Sequence, residues 1–355
     1  MSSRVNISAY ARIIQQQFIP TLPEYWGHLF RFGVQALTLK PFVSLASNAR
    51  QTIAHPDTAS TTMDRLAGNE GLANALAKAV AGLGIVRPKS ILACDHSTFN
   101  SLMAFVGAIQ TRRGRAIPCV IETLYAQQLP AGDTAPKRKQ HLRLARKAAG
   151  IRMYDQAIVA LEALAEELGF WPRLVFDRGF GGIPFIRRLV AHEAIFYIRL
   201  KASRLVELGG DEVKVGELPT SDMRVILDGM SLRVIRSDEP DDDGEPWLIL
   251  TSDMVKGRKN IIEIYYHRFE IEETFKDLKH ILGLKLTRLT KPLSLKILLW
   301  FASLRFILGY LASHKDPRYG APRNPKKKIS WVRRLTEDFL REIYGPVGNL
   351  ITGEL

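Results

Sequence analysis

The chain has 355 residues, 46% of them hydrophobic, which is enough for one large domain with additions or for two to three smaller domains. Lysine and arginine total 50 and aspartate and glutamate total 36, so the formal net charge is +14. A surface with this balance attracts polyanions, chiefly nucleic acid, although charge alone does not identify the partner.

The sequence argues against the secreted and membrane-spanning classes. Cys94 and Cys119 lie in apolar segments, which is typical of a reduced protein without a disulfide framework. The N-terminal stretch lacks the apolar run and cleavage site of a secretory signal. Lys296 and Arg305 interrupt the apolar stretch 293–312, and each would cost about 2.5–3.5 kcal/mol on insertion into a bilayer. We therefore expect a cytoplasmic protein with no membrane contact.

The first region, residues 1–88, is predicted to be helical. Its apolar residues occur in clusters broken by Pro20, Pro23, Pro41 and Pro56. Two interpretations stay open for this region, a small DNA-binding unit and a helical cap on the domain that follows.

From residue 89 onwards, strand and helix patterns alternate. Strands are predicted over 90–99, 101–110, 116–125, 172–177 and 194–200, and helices over 137–168 and 182–192. The order β-β-β-α-β-α-β indicates an α/β fold with a mixed five-stranded sheet and helices on its faces. We expect residues 89–201 to form the first part of the main domain.

The second half of the chain changes character twice. Residues 202–254 contain short β-like runs joined by turn-rich segments, which predict an inserted antiparallel unit. Residues 255–315 return to helical patterns and complete the main domain. Residues 316–355 form a Pro-rich, basic tail.

Four residues in the helical segment 258–284 have a distinctive spacing. Tyr265, Arg268, Glu272 and Lys279 read as Y-x2-R-x3-E-x6-K. On a continuous α-helix, these offsets place all four side chains within an arc of roughly 60°. One carboxylate then lies in a row of three donors. An ordinary surface pair between Arg268 and Glu272, contributing about 0.3–0.5 kcal/mol, is the simpler alternative for this helix alone.

The same helix is predicted to turn a separate acidic face towards water. That face would carry Glu263, Glu270, Glu273 and Asp277. An apolar stripe faces the core, and Glu272 lies at the edge of this buried side.

Two further carboxylates stand at the ends of predicted strands. Asp95 ends the strand in ILACDHSTF, and Asp177 ends the strand in RLVFDRGFGG. Either aspartate alone could simply cap the turn that follows it. Phosphodiester cleavage with two Mg²⁺ ions, however, needs carboxylates that converge from different elements. Asp95, Asp177 and Glu272 are therefore our candidate catalytic and metal-binding residues.

The local sequence around these carboxylates resembles a known family. Asp95 stands in D-H-S-T, Asp177 in D-R-G-F, and Glu272 in the Y-x2-R-x3-E-x6-K row. This set is similar to the DDE motif of IS4-type transposases of bacterial insertion sequences. The segment WLILTS at 247–252 also resembles a tryptophan-bearing strand of that family. The resemblance covers roughly residues 89–312.

The resemblance implies a fold and a reaction. It implies an RNase H-like catalytic domain split into 89–201 and 255–315 by an all-β insertion at 202–254. It also implies an enzyme that cuts and pastes a mobile element, with two Mg²⁺ ions, which Mn²⁺ may replace, as cofactors. The implied partner is double-stranded DNA, both transposon inverted-repeat ends and target DNA. A homodimer on DNA, a dimerising role for 316–355 and a bacterial, nucleoid-associated location also follow from it.

The resemblance further implies roles for individual residues. Tyr265, Arg268 and Lys279 would grip DNA phosphates, with arginine as a bidentate fork and lysine as a point charge. Trp247 aligns with a residue that stacks on an extruded base, and a core role for it is an equal alternative. Arg178, in D-R-G-F, is a further candidate for DNA contact.

Two rival functions remain at this point. One is a DNA-binding regulator or inhibitor descended from a transposase, and the other is an RNase H-like nuclease that stops at hydrolysis. The presence of all three carboxylates argues against loss of activity but does not separate these alternatives.

Overall fold

A computed structural model describes residues 70–126, 135–240, 244–281, 284 and 291–315. Most of the predicted N-terminal region and the whole tail 316–355 lie outside these residues. The described helices are α1 (Glu70–Gly82), α2 (Ala135–Leu168), α3 (Ile183–Ala191), α4 (Arg258–Tyr266), α5 (Phe269–Lys276) and α6 (Pro292–Lys315). Short 3-10 turns cover Arg178–Phe180 and Val215–Glu217, and a π-helical turn covers Asp277–Ile281.

The described strands form one sheet. They are β1 (Ile91–Phe99), β2 (Leu102–Ile109), β3 (Ile117–Tyr125), β4 (Arg173–Phe176), β5 (Phe196–Arg199), β6 (Leu205–Leu208), β7 (Asp211–Lys214), β8 (Asp222–Leu227), β9 (Met230–Pro240) and β10 (Pro246–Thr251). Their order across the sheet is β3-β2-β1-β4-β5-β10-β9-β8-β6-β7. Strand β4 runs parallel to both β1 and β5, and the other pairs are antiparallel. The predicted order β-β-β-α-β-α-β is confirmed.

The prediction of a five-stranded sheet is wrong, because the sheet has ten strands. Strand β10 pairs with β5 in the register Leu250 to Ile198, so the β-rich region 202–254 extends the central sheet. Strand β5 is nearly all buried and requires a second partner for its backbone polar groups. The mixed sheet with helices on its faces is consistent with an RNase H-like transposase fold.

Both faces of the central strands are covered. In β4, Leu174 and Phe176 belong to the main core, which also includes residues of α1, α2, α3 and α6. Val175, between them, packs in a second cluster with Ile264 and Tyr265 of α4. The continuous apolar run of β4 is therefore explained by burial on two faces. Within the described residues, no helix is long and apolar enough to cross a membrane.

Residues 258–281 are helical, but they do not form one continuous α-helix as predicted for 258–284. The N–H groups of Arg268, Glu270 and Ile271 bond to carbonyls three residues earlier, at 2.9, 3.1 and 3.1 Å. This tighter pattern separates α4 from α5, and the wider π-helical turn follows α5. The arc of roughly 60° expected for an ideal helix therefore does not hold from Tyr265 to Lys279.

The predicted acidic face is also wrong for two of its four members, because Glu270 and Asp277 are buried. Glu270 accepts hydrogen bonds from the backbone N–H groups of Thr111 (2.7 Å) and Gly114 (3.2 Å). Asp277 accepts one from Nε of Arg115 at 2.6 Å. This face of the helix packs on the basic turn between β2 and β3, which supplies the donors that two buried carboxylates need.

We expect Arg115→Ala to lower the free energy of unfolding by about 3–5 kcal/mol, because it leaves the buried Asp277 carboxylate without its cation. The matched control is Arg112→Ala in the same turn. Arg112 pairs with Glu263 at 3.1 Å, with side chains 60% and 49% exposed, and such a pair contributes about 0–1 kcal/mol. Urea denaturation of both variants measures the difference. Equal losses would contradict the structural role given to Arg115.

Candidate active site

The parallel pairing of β1 and β4 brings two of the predicted carboxylates together. Ala93 is the register partner of Val175, and Cys94 is that of Phe176. Asp95 directly follows Cys94, and Asp177 directly follows Phe176. Asp177 still has extended backbone, with φ −76° and ψ 178°. Because side chains alternate along a strand, Asp177 lies on the face of Val175, which packs against α4, and the register of β1 with β4 places Asp95 beside it.

A tight turn fixes the Asp177 carboxylate. Its Oδ1 accepts a hydrogen bond from the N–H of Gly179 at 2.8 Å and so caps the 3-10 turn Arg178–Phe180. A methyl group added at Gly179 would lie 2.9 Å from this oxygen. Glycine at 179 therefore leaves room for the carboxylate beside the turn.

Arg268 connects Asp95 with the third predicted carboxylate. Its Nη2 lies 2.6 Å from Oε1 of Glu272, and its Nη1 lies 3.4 Å from Oδ2 of Asp95. The Arg268 side chain is only 9% exposed, while Glu272 is 40% exposed. Asp95, Asp177 and Glu272 thus come from three elements, and one buried guanidinium links two of them.

The electrostatics of the site favour a bound cation. Burial and the nearby charge of Asp177 raise the pKa of Asp95 to about 6, although Arg268 and His96 act in the opposite direction. For Arg268, burial opposes the charged form, but Tyr265, Asp95 and Glu272 outweigh it and raise the pKa. The negative charges of Asp95 and Asp177 are therefore only partly neutralised by Arg268.

Tyr265 and Trp247 are buried in the second core cluster, together with Val175 of β4 and Ile264 of α4. Their ring centres are 5.2 Å apart, and Trp247 also contacts the rings of Tyr266 and Phe269 at 6.3 and 6.1 Å. Burial raises the pKa of Tyr265 to about 12. The predicted phosphate contact of Tyr265 and base stacking of Trp247 stay predictions, and in this structure both rings are covered by protein.

The remaining two predicted DNA contacts differ in exposure. Arg178 is exposed in the turn directly after Asp177. Lys279 is half-buried in the π-helical turn, with its Nζ 5.3 Å from the centre of the Phe99 ring. Phe99 is the last residue of β1, so Lys279 lies near the C-terminal end of the strand that carries Asp95.

In the described residues, no group of three or more His, Cys, Asp or Glu side chains is arranged to hold a metal ion. Glu272 instead forms a short ion pair with Arg268. Asp95 and Asp177 nevertheless suit a hard divalent cation, because two adjacent carboxylates supply oxygen ligands and repel each other without one. Glu272 would complete this set after leaving Arg268.

Sequence reasoning missed two features of the site. It considered a pair between Arg268 and Glu272 only as a surface interaction, and it missed the burial of Arg268 and its contact with Asp95. It also missed Tyr154 of α2, whose phenol pKa is raised by burial and by the charges of Asp177 and Asp95. Tyr154 stands in a long helix without a motif, so the sequence carried no signal for it.

Asp95→Asn is expected to stabilise the metal-free protein at pH 8. The native pKa of Asp95 is raised from 3.8 to about 6. The protonated carboxyl is therefore favoured in the folded protein, and the free energy of unfolding falls as pH rises through about 6 and the carboxyl ionises. We expect a melting temperature about 2–4 °C above wild type at pH 8, the shift that about 1 kcal/mol produces in a large domain.

The gain should shrink below pH 5, where Asp95 is protonated and resembles asparagine. Calorimetry in EDTA, at pH 8 and below pH 5, measures the melting temperatures of Asp95→Asn and wild type. Asp155→Asn is the control, because Asp155 is exposed. A gain of the same size at both pH values would contradict the raised pKa.

Comparison with known families adds independent information. Residues 146–306 match the family described as "Transposase DDE domain". The matched region contains Asp177 and Glu272 and begins after Asp95. A comparison with curated proteins found no match. The match supports a DDE transposase, and hence transposase function in general, with DNA as the substrate that this family implies.

Proposed function

We propose that this protein is a divalent-metal-dependent DNA transposase of the IS4 type, which cuts a mobile element out of DNA and joins it to a target. The observation that carries the proposal is the side-by-side placement of Asp95 and Asp177 by two parallel strands, with Glu272 tied to Asp95 through Arg268. The family match over 146–306 supports the coarser part of this proposal, a DDE transposase in general.

In this proposal, Asp95, Asp177 and Glu272 hold two Mg²⁺ ions, which Mn²⁺ may replace. Bound there, the ions would activate a water molecule or the 3′-hydroxyl of the DNA as the nucleophile and would offset charge on the phosphate under attack. Asp95 and Asp177 need little rearrangement, because the strands already place them side by side. Glu272 has to leave Arg268, and its side chain is 40% exposed and has room to turn.

Arg268 has two successive roles. Without DNA, it partly neutralises Asp95 and Glu272 at 3.4 and 2.6 Å. Once the cations replace it, its two terminal nitrogens become free to donate to phosphate oxygens, for which the planar guanidinium is well matched. The rings of Tyr265 and Phe269, at 5.8 and 5.0 Å from the guanidinium carbon, limit the directions in which it moves.

Other contacts to DNA are proposed around this centre. The exposed Arg178 and the ammonium of Lys279 would bind phosphates on either side of the cleaved bond. Trp247 would stack on a base only if Tyr266 or Phe269 moved away, because its side chain is covered here. We further propose that two copies act on paired transposon ends, as the resemblance to IS4-type transposases implies.

The proposal is tested with Glu272→Gln on a supercoiled plasmid carrying the DNA segments that flank the gene. Wild type with Mg²⁺ should release 3′-hydroxyl ends and join them to a second DNA. Glutamine keeps a hydrogen bond to Arg268 but is a poor metal ligand, so cleavage should fall by at least about 100-fold. DNA affinity, measured by gel shift, should change little.

Glu263→Gln is the matched control, because Glu263 is an exposed carboxylate on the neighbouring helix α4. It should cleave like wild type. Nicking without joining by wild type would favour a nuclease, and binding without cleavage would favour a regulator. Full cleavage by Glu272→Gln would refute the assignment of Glu272.

A further inference from the structure

Tyr154 belongs to the surroundings of Asp177 through its packing. Its ring contacts Phe180 edge-on, with centres 5.1 Å apart, and also contacts Phe185 at 6.2 Å. Phe180 is fully buried and ends the 3-10 turn that Asp177 caps. The turn that presents Asp177 therefore also fixes the position of Tyr154.

The hydroxyl of Tyr154 and the carboxylate of Asp177 both lie next to the open side of Gly179, where another residue would carry a side chain. A methyl group added at Gly179 would lie 3.5 Å from Oη of Tyr154 and 2.9 Å from Oδ1 of Asp177. Because residue 179 is glycine, this space is not filled by a side chain of that residue. The hydroxyl makes no hydrogen bond to any other residue in the described part of the chain.

This hydroxyl can donate a hydrogen bond. A phenol has an ordinary pKa of about 10, so the hydroxyl keeps its proton at neutral pH. Carboxylates only accept hydrogen bonds and repel a phosphate, whereas a neutral phenol donates to one. Tyr154 approaches from the side of α2, while Arg268 approaches from the side of α4 on the other face of the sheet.

We propose that the Tyr154 hydroxyl donates a hydrogen bond to a non-bridging oxygen of the DNA phosphate that is cleaved next to Asp177. This inference rests on the proposed transposase function and adds a substrate-contacting residue to it. Tyr154 and Arg268 would then hold the phosphate from two sides. Gly179 would keep the space in which the phosphate oxygen lies.

The test compares wild type with Tyr154→Phe, which keeps the ring contacts and removes only the hydroxyl. The rate of 3′-end release at saturating DNA should fall about 10- to 100-fold, as expected for loss of a hydrogen bond to a charged group. Gly179→Ala should lose at least as much, because its methyl group would fill the shared space and also crowd Oδ1 of Asp177 at 2.9 Å. Tyr125→Phe, at the partly exposed end of β3, is the matched control and should cleave like wild type.

Three further measurements separate a phosphate contact from a structural effect. The melting temperature and the Mn²⁺ affinity of Tyr154→Phe should equal those of wild type. With Ca²⁺ present, Tyr154→Phe should bind a duplex end less tightly than wild type by fluorescence anisotropy. This difference should vanish on a duplex with a methylphosphonate at the cleaved position, where the charged oxygen is missing.

The outcomes distinguish this inference from the proposed function. No 3′-end release by wild type would overturn the transposase proposal and this inference with it. Release by both wild type and Tyr154→Phe at equal rates would overturn the role of Tyr154 alone. Two other results would show that Tyr154 does not contact the phosphate. One is a slow Tyr154→Phe variant that also loses Mn²⁺ affinity. The other is a Tyr154→Phe variant that still binds the methylphosphonate duplex less tightly than wild type does.

Discussion

The buried guanidinium of Arg268 is the interaction on which the candidate site depends. Parallel pairing of β1 and β4 places Asp95 and Asp177 side by side, and like charges this close destabilise each other. Arg268 offsets part of that cost through Asp95 and holds Glu272 at 2.6 Å. The proposed cation site needs carboxylates that keep part of their negative charge, and Arg268 neutralises them only in part.

The position of Arg268 is in turn set from outside the site. The turn between β2 and β3 binds the buried carboxylates of Glu270 and Asp277, and so fixes α5 against the strand that carries Asp95. Gln110, just before this turn, donates to the carbonyl of Ile264 in α4 at 3.1 Å. Both helices that flank Arg268 are therefore anchored to the same hairpin.

Local patterns predicted much of this arrangement. The apolar runs that lead into Asp95 and Asp177 are short and clear. The prediction that Asp95 ends its strand is wrong, because β1 continues to Phe99 in register with β2. Non-local pairing could not be predicted: nothing within PWLILT indicates that it pairs with β5. A helical wheel placed Glu270 and Asp277 on one face, but it carried no information about the basic turn that covers that face. The tight turn at Arg268 also lacks the glycine or proline that would mark a break.

Strand pairing between β5 and β10 has a consequence for how this chain can be shortened. Residues 202–254 resemble an appendage in sequence, yet without them β5 would become an edge strand with unpaired backbone groups and a largely apolar surface. The sheet instead ends at β7, which is four residues long and reads DEVK. Short, charged edges of this kind resist pairing with other chains. The β-rich region 202–254 therefore keeps β5 from becoming an exposed apolar edge.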